Sequence, residues 1–432
     1  MSPPAPDVTV VIPTRNRVDS LWHTLAALTR QTFPAPRFEV VVVDDAGTDG
    51  TARLTRNFAA PFALTVTSAP QPAGAAAARN LGARTASGAL LLFLDDDIEA
   101  SPGLLAAHVR AHEAGAEVTT GYLPASVAGG SSFFAIALRG WWEAMFAAMR
   151  QRGHRYTFRD LLTGNCAIDA SLFRRTGGFD ERLACHEDYE LGVRLIGCGA
   201  RFQFVEDAWG FHHERTTLER ALLRKRAEGK ADVQILERHP DLWTVLPIGF
   251  FERHASRRQR ALRRLALTSP ASARLAARSL RAALRAQEGL RLRGRWTRAL
   301  HDLLTLAYWE GVNVAVGGRP GLERLRARMK MQPALPSPPL EVDLASGLRV
   351  AMRRLDEARP HATTIRYREE SVGTIPAIPG AETLRGEHLQ ASLARELAAA
   401  FLQALGRAGA APVTSADRVS ASGELPVSAL EL

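Results

Sequence analysis

At 432 residues, 46% of them hydrophobic and 23% charged, the chain is long enough for more than one globular core and too apolar to be a disordered polymer. It has no run of eighteen apolar residues and no basic or apolar leader region over Met1–Asp7, so neither a spanning helix nor a signal peptide is expected. Net charge is +10, and Cys166, Cys185 and Cys198 are too few and scattered for a disulfide framework or zinc site, which points to the cytoplasm.

Val8–Ile12 reads as a strand closed by Pro13, and Thr14-Arg15-Asn16-Arg17 as a polar turn. Leu21, Leu25 and Leu28 then mark a helix. Glu39–Val43 is a second buried strand, ending in Asp44 and Asp45. Gly47–Gly50 turns into another helix, Leu64–Thr67 is a third strand, and Gly74–Ala86 is an Ala-rich helix holding Arg79-Asn80. The alternation of strand and helix argues for a parallel, three-layer sheet. The first strand is followed by neither Gly-x-Gly-x-x-Gly nor a P-loop, which disfavours an ordinary dinucleotide or P-loop fold.

The next strand organises the chain. Leu90-Leu91-Leu92-Phe93-Leu94 is continuously apolar, as strands buried on both faces are, and Asp95-Asp96-Asp97 follow at once. Open α/β sheets bind ligands at this end of a strand. Two carboxylates ~5 Å apart at an effective dielectric of ~20 repel by about 3 kcal/mol, and a divalent cation removes that penalty. Alternation along the backbone lets Asp95 and Asp97 face one way and Asp96 the other. A solvated acidic turn is the competing reading.

Ser101-Pro102 signals a helix start. Phe133–Met149 is an aromatic amphipathic helix, interrupted by Arg139 and Glu143. Gly164–Ile168 is a strand, Gly177–Glu181 a turn, and His186-Glu187-Asp188 opens a helix. Asp188 lies three and seven residues before Leu191 and Leu195 and so shares their inward face, with Glu187 rotated towards the edge. Arg201–Val205 is another strand, His212 and His213 follow, and Thr216–Glu237 is an amphipathic helix.

Seven segments in order resemble family-2 glycosyltransferases of the GT-A fold. They are Val-Ile-Pro-Thr-Arg-Asn-Arg at 11–17, Val-Val-Asp-Asp at 42–45, Ala-Arg-Asn-Leu-Gly at 78–82 and Phe-Leu-Asp-Asp-Asp at 93–97. Gly-Asn at 164–165, Gly-Gly-Phe-Asp-Glu at 177–181 and Glu-Asp-Tyr-Glu-Leu at 187–191 complete the set. The resemblance covers roughly the first 235 residues. It implies inverting transfer of a sugar from a nucleotide-sugar donor to a hydroxyl acceptor: a polysaccharide, a lipid-linked carrier or a small metabolite. It assigns donor contacts to Pro13, Thr14, Arg15, Asp44, Asp45, Arg79, Asn80, Asp95, Asp96 and Asn165. Asp97 would bind Mg²⁺ or Mn²⁺ with His212, or in its place His213. Asp188 would be the general base, with Glu187 beside it. The chemistry asks for the same residue types: a leaving nucleoside diphosphate gathers negative charge, and the acceptor hydroxyl must lose a proton. Inversion needs one base and no covalent intermediate.

The expected architecture is therefore α/β: a three-layer α/β/α domain of GT-A type with a mostly parallel sheet over 1–238, then a helical Arg-rich region over 239–331. A Pro-rich linker over 332–339, a small α/β module of unassigned role over 340–408 and a disordered tail over 409–432 follow. The small module is read from strands at Leu340–Asp343, Thr363–Tyr367 and Ser371–Ile375 and a helix at Glu387–Leu405. The apolar stretch Pro240–Phe251 is too short to span a membrane but suits an interface. Arg253–Arg298 holds fourteen Arg and one acid, Glu288, which fits either a solvated helical face or peripheral contact with an anionic membrane surface. No nucleic-acid motif accompanies the charge. Two other readings compete with the enzyme. A catalytically inactive module acting as a membrane-surface scaffold would be expected to lack Asp97 or Asp188, and both are present. A nucleotidyltransferase would need a Gly-rich loop after the first strand, where Pro13–Arg17 has no Gly.

Overall fold

The computed structural model describes residues 5–124, 132–330 and 338–408. The first residues of the chain, most of the expected linker and the expected tail from 409 lie outside them. The described chain forms two units, Met1–Phe146 with Phe158–Gln332, and Ala147–Thr157 with Pro333–Leu432.

In the first unit, β1 (Val8–Thr14), β2 (Phe38–Asp44), β3 (Ala63–Ser68) and β4 (Leu90–Leu94) run parallel. They are joined through α1 (Val18–Leu28), α2 (Thr51–Asn57) and α3 (Ala75–Thr85). Every residue of β4 is buried, as its unbroken apolar run requires, whereas the edge strand β3 has none buried. Leu21, Leu25 and Leu28 are fully buried, which fixes the face α1 turns to the core. Next come β5 (Ile98–Ala100), α4 (Leu104–Glu113), β6 (Val118–Tyr122), α5 (Phe133–Met149), β7 (Asn165–Asp169) and α6 (Ala170–Arg175). Then α7 (Glu187–Gly197), β8 (Phe202–His212) and α8 (Leu218–Arg238) follow. The eight strands form one sheet in the order β3-β2-β1-β4-β7-β6-β8-β5. Within it β7 is antiparallel to β4 and β6, and β5 is antiparallel to β8. The sheet is mostly parallel and covered by helices, the three-layer class expected.

The winding runs outward from β1 through β2 to β3, then returns to place β4 on the other side of β1. The carboxyl ends of β1 and β4 therefore flank a switch point, where open α/β sheets leave a crevice. The Arg15–Arg17 turn and Asp95–Asp97 both sit there.

Four features depart from the sequence reading. β5, β6 and α6 have no strong local signature and were not anticipated; β5 and β6 are strands of three and five residues stabilised by their neighbours. β8 runs through His212 and does not stop at Val205, because its far end pairs with β5 and β6. The helix after Ser101-Pro102 begins only at Leu104 and has no side-chain cap. The stretch Pro240–Phe251 turns much of its apolar surface inward: Leu242, Leu246 and Ile248 are at most 1% exposed in a helical core, while Phe250 is 51% exposed.

That core is built by α8 with α9 (Pro247–His254), α10 (Arg257–Thr268), α11 (Pro270–Gly289), α12 (Arg293–Val316) and α13 (Arg319–Lys330), in the same unit as the sheet. α8 and α12 meet at Gly229 and Gly311. A Cβ on Gly311 would lie 1.9 Å from the Arg226 carbonyl oxygen, so only glycine permits this approach.

The second unit is a three-stranded sheet in the order β11-β10-β9, from β9 (Leu340–Asp343), β10 (Thr363–Tyr367) and β11 (Glu370–Ile375). α14 (Leu348–Ala358) makes the crossover between the parallel strands β9 and β10. The single helix expected over Glu387–Leu405 is two, α15 (Gly386–Ala394) and α16 (Ala398–Arg407). Residues 147–157, contiguous with α5 and inside the span expected for the first domain, belong to this unit. Arg155 donates to the carbonyl oxygens of Glu382, Pro376 and His361, and the Tyr156 amide donates to Glu382 Oε1 at 2.9 Å.

Candidate active site

The crevice opens into a cleft of about 1170 Å³ in the first unit. Its walls come from the β1–α1 turn, the end of β4, α5, the start of α7, the end of β8 and the first half of α8.

At the β4 end, the three carboxylates are held apart. Arg17 reaches across with its two terminal nitrogens, 2.8 Å from Asp96 Oδ1 and 2.6 Å from Asp97 Oδ2. The Thr14 hydroxyl donates to Asp96 Oδ2 at 2.6 Å. Burial, only partly offset by Arg17 and Thr14, pushes Asp96 up to about 7. Burial acts on Asp97 in the same sense, but His212 and Arg17 outweigh it and bring Asp97 down to about 2. Asp95, which lines the cleft with Asp97, accepts from Arg79 at 2.8 Å.

Arg79 is 5% exposed, and its second terminal nitrogen donates to Glu187 Oε1 at 2.7 Å. It thus ties the end of β4 to the first turn of α7. Asp188, next in that turn, lines the cleft and is half-buried. Burial, then the adjacent Glu187 charge, pushes Asp188 up to about 6, while His186, Arg224 and Arg79 pull against them. The start of α7 is clamped from behind. His186 sits at φ 59°, a left-handed conformation that costs a non-glycine residue about 1 kcal/mol or more. Its Nδ1 donates to the fully buried Asp232 of α8 at 2.9 Å, and the Tyr308 hydroxyl of α12 donates to the other oxygen of Asp232 at 2.6 Å. Burial disfavours a charged His186, yet Asp232 holds its pKa above the ordinary value.

At the end of β8, His212 Nε2 stands 3.6 Å from Asp97 Oδ1. His213 points elsewhere, 3.1 Å from Glu99 Oε2, so His212 is the one that faces the carboxylates. Asp97 Oδ1 and His212 Nδ1 are buried without a hydrogen-bond partner. Such orphaned donor atoms fit a divalent cation completed by substrate oxygens, as Mg²⁺ is commonly held. Among the described residues no three His, Cys, Asp or Glu side chains converge as a preformed metal cage.

Residues 9–177 match the family described as Glycosyl transferase family 2. The matched stretch is a glycosyltransferase family 2 segment. Among curated proteins, family-2 similarity is seen to glycosyltransferase AglE of Haloferax volcanii, 29% identical over 240 residues, covering 54% of this chain and 76% of AglE. Validoxylamine A glucosyltransferase of Streptomyces hygroscopicus subsp. jinggangensis is 32% identical over 246 residues, covering 49% of this chain and 57% of that protein. Among solved structures, a mannosyltransferase from Pyrobaculum calidifontis in complex with GDP-Man and Mn²⁺ aligns with a TM-score of 0.45 at 19% identity, over 76% of this chain and 81% of its own.

The structure brings together Arg15, Arg79, Asp95 and Asp97 of the matched stretch with Glu187, Asp188 and His212 beyond it on one cleft. Asp96 stands behind it, held by Thr14 and Arg17. Pro13, Asp44, Asp45, Asn80 and Asn165 do not line this cleft. Asn165 is a correction: it is fully buried, donating to the Ala208 carbonyl at 2.8 Å and lying 3.0 Å from His108 Nε2, so its amide is used in the core. Asn80 is another, because it is rotated about 100° from Arg79 on α3. It clips the Gly177–Glu181 turn instead, bonding the Phe179 carbonyl and amide. Asp44 accepts from the Gly47 amide, and Asp45 from the amides of Ala73 and Gly74. Both carboxylates fasten loops at the end of β2. Pro13 continues β1 next to these loops. Glu187 is not at the helix edge, since Arg79 draws it inward.

Sequence reasoning missed Arg17, although it lies in a quoted motif, because its partners are eighty residues away. It also missed Asp232 and Tyr308, which carry no local signal. A second cavity of equal volume lies at Asn80, Asp180, Glu190 and Arg238. Its titratable groups are engaged with one another, Glu190 with Arg194 and His239, Asp180 with Arg238 and Glu181 with Arg84.

Proposed function

We propose that this chain transfers a sugar from a nucleoside-diphosphate donor to a hydroxyl acceptor, with inversion at the anomeric carbon. One observation carries the reading: a single cleft holds a low-pKa carboxylate beside a histidine at one end and a high-pKa carboxylate at the other. Relatives named as glycosyltransferases support the class of reaction.

Arg15, on the β1–α1 turn, is placed to meet the donor diphosphate, with Asp95 near its ribose. Asp97 and His212 would hold Mg²⁺ or Mn²⁺, which when bound offsets charge on the leaving diphosphate. Asp188 takes the proton from the acceptor hydroxyl as that oxygen attacks. A pKa near 6 leaves it mostly ionised at neutral pH and basic enough to accept the proton. Glu187 and Arg79 fix the helix turn that aims it. The acceptor class is open among a polysaccharide, a lipid-linked carrier and a small metabolite, and the Arg-rich helices leave room for peripheral contact with an anionic membrane. No helix among the described residues is long and apolar enough to cross a membrane.

The test is a panel of nucleotide sugars scored for metal-dependent hydrolysis and thermal stabilisation. One or a few donors should stabilise the protein only with Mg²⁺ or Mn²⁺. Absence of stabilisation by every donor, with and without metal, defeats the proposal.

A further inference from the structure

The arginines of the cleft fall into two electrostatic classes. Arg17 and Arg79 are each neutralised by two carboxylates. Arg215 and Arg220, at the β8–α8 connection and on the first turn of α8, line the same cleft with no acidic partner among the described residues. Arg224 follows one turn later, its Nε 3.6 Å from Glu228 and its side chain 62% exposed. Leu223 shares this face and is 62% exposed, and Trp141 of α5, also on the cleft wall, is 49% exposed. Positions 220, 223, 224 and 227 recur at helical spacing, so α8 presents one continuous stripe to the cleft. The guanidinium groups of Arg215 and Arg220, without an acidic partner among the described residues, and that of Arg224, shared only loosely with Glu228, lie beside open apolar and aromatic surface and suit a ligand that is both anionic and partly apolar.

We propose that this α8 stripe is the acceptor subsite and that the acceptor carries a phosphate. The phosphate pairs with Arg220 and Arg224 while a sugar ring lies against Trp141 and Leu223, leaving one of the ring's free hydroxyls near Asp188. This inference rests on the donor reading above and deepens it, since it names the chemistry of the second substrate. The phosphate is either that of a soluble sugar phosphate or the one that joins the sugar to a lipid carrier.

The experiment uses the full chain saturated with Mn²⁺ and with UDP or GDP, whichever binds, and follows tryptophan fluorescence. Glucose 1-phosphate and geranyl phosphate are titrated beside glucose and geraniol. At least one phosphate should bind tenfold or more tightly than its phosphate-free counterpart, and the better of the two identifies the source. The Arg220→Ala/Arg224→Ala double variant should lose that binding by about 10–100-fold, with nucleotide affinity unchanged. Trp141→Ala should weaken it several-fold. The inference is overturned if phosphates bind no better than their counterparts, if the double variant binds as wild type, or if the phosphates displace the nucleotide. Failure of both UDP and GDP to bind with Mn²⁺ would instead overturn the donor reading, and this inference with it.

Discussion

The two ends of the cleft take the same side chain and push it in opposite directions. Asp97 lies among Arg17 and His212, and its pKa falls to about 2. Asp188 lies beside another acid at a buried helix start, and its pKa rises to about 6. Burial pushes both pKa values upward, so burial alone cannot give the opposite directions. The difference is set by which charges the fold packs against each. A carboxylate held ionised is suited to a cation, and one poised near neutrality is suited to proton transfer.

The largest break in this comparison comes from removing the low-pKa end. Asp97→Ala should reduce transfer to background and abolish stabilisation by Mn²⁺ with nucleotide, with little change in the fold, because Asp97 caps a strand end outside the hydrophobic core. Retained metal-dependent stabilisation would remove Asp97 from the cation site.

At the other end, Asp188→Asn keeps shape and loses the proton acceptor. Turnover should fall by about 10²–10⁴-fold while nucleotide affinity stays near wild type. Glu187→Gln should cost about tenfold, through slack in the Arg79 clamp, together with a lower melting temperature. Greater loss in Glu187→Gln than in Asp188→Asn would exchange their roles.

The pH profile sharpens the contrast. The base works ionised, so kcat/KM should fall about tenfold per unit as pH drops below about 6, and be level above it. That acid limb should vanish in Asp188→Asn. The sign for stability is opposite: a raised carboxyl pKa means the folded state holds the proton between about 4 and 6. Asp188 therefore contributes stability below that window and loses it as pH rises through it. Asp188→Asn should then be the more stable protein at pH 7, measured by thermal unfolding.

The smallest effect tests the clamp behind α7. Asp232→Asn weakens the hold on a protonated His186, and a neutral His186 no longer lowers the Asp188 pKa. The acid limb should shift upward by a fraction of a pH unit. An unmoved limb with unchanged kcat would show that Asp232 serves packing alone.

The sequence by itself determined the elements whose signals are local. Continuous apolar runs identified β1, β2 and β4, because a strand buried on both faces has no room for polar side chains. The carboxylates at the β4 terminus were legible for the same reason, and helical spacing marked the start of α7. What tertiary structure decided is which groups meet. Periodicity gives the face of a helix but not the partner across it. Arg79 joins Asp95, 16 residues away, to Glu187, 108 residues away, Arg17 bridges Asp96 and Asp97 across about eighty, and Tyr308 reaches Asp232 from a helix outside the expected catalytic domain. Asn80 and Asn165, donor contacts by motif, were claimed by core carbonyls because a buried amide must be satisfied wherever the fold puts it. The opposite pKa values of Asp97 and Asp188 belong to this second class, since they arise from charges brought together only when distant segments pack.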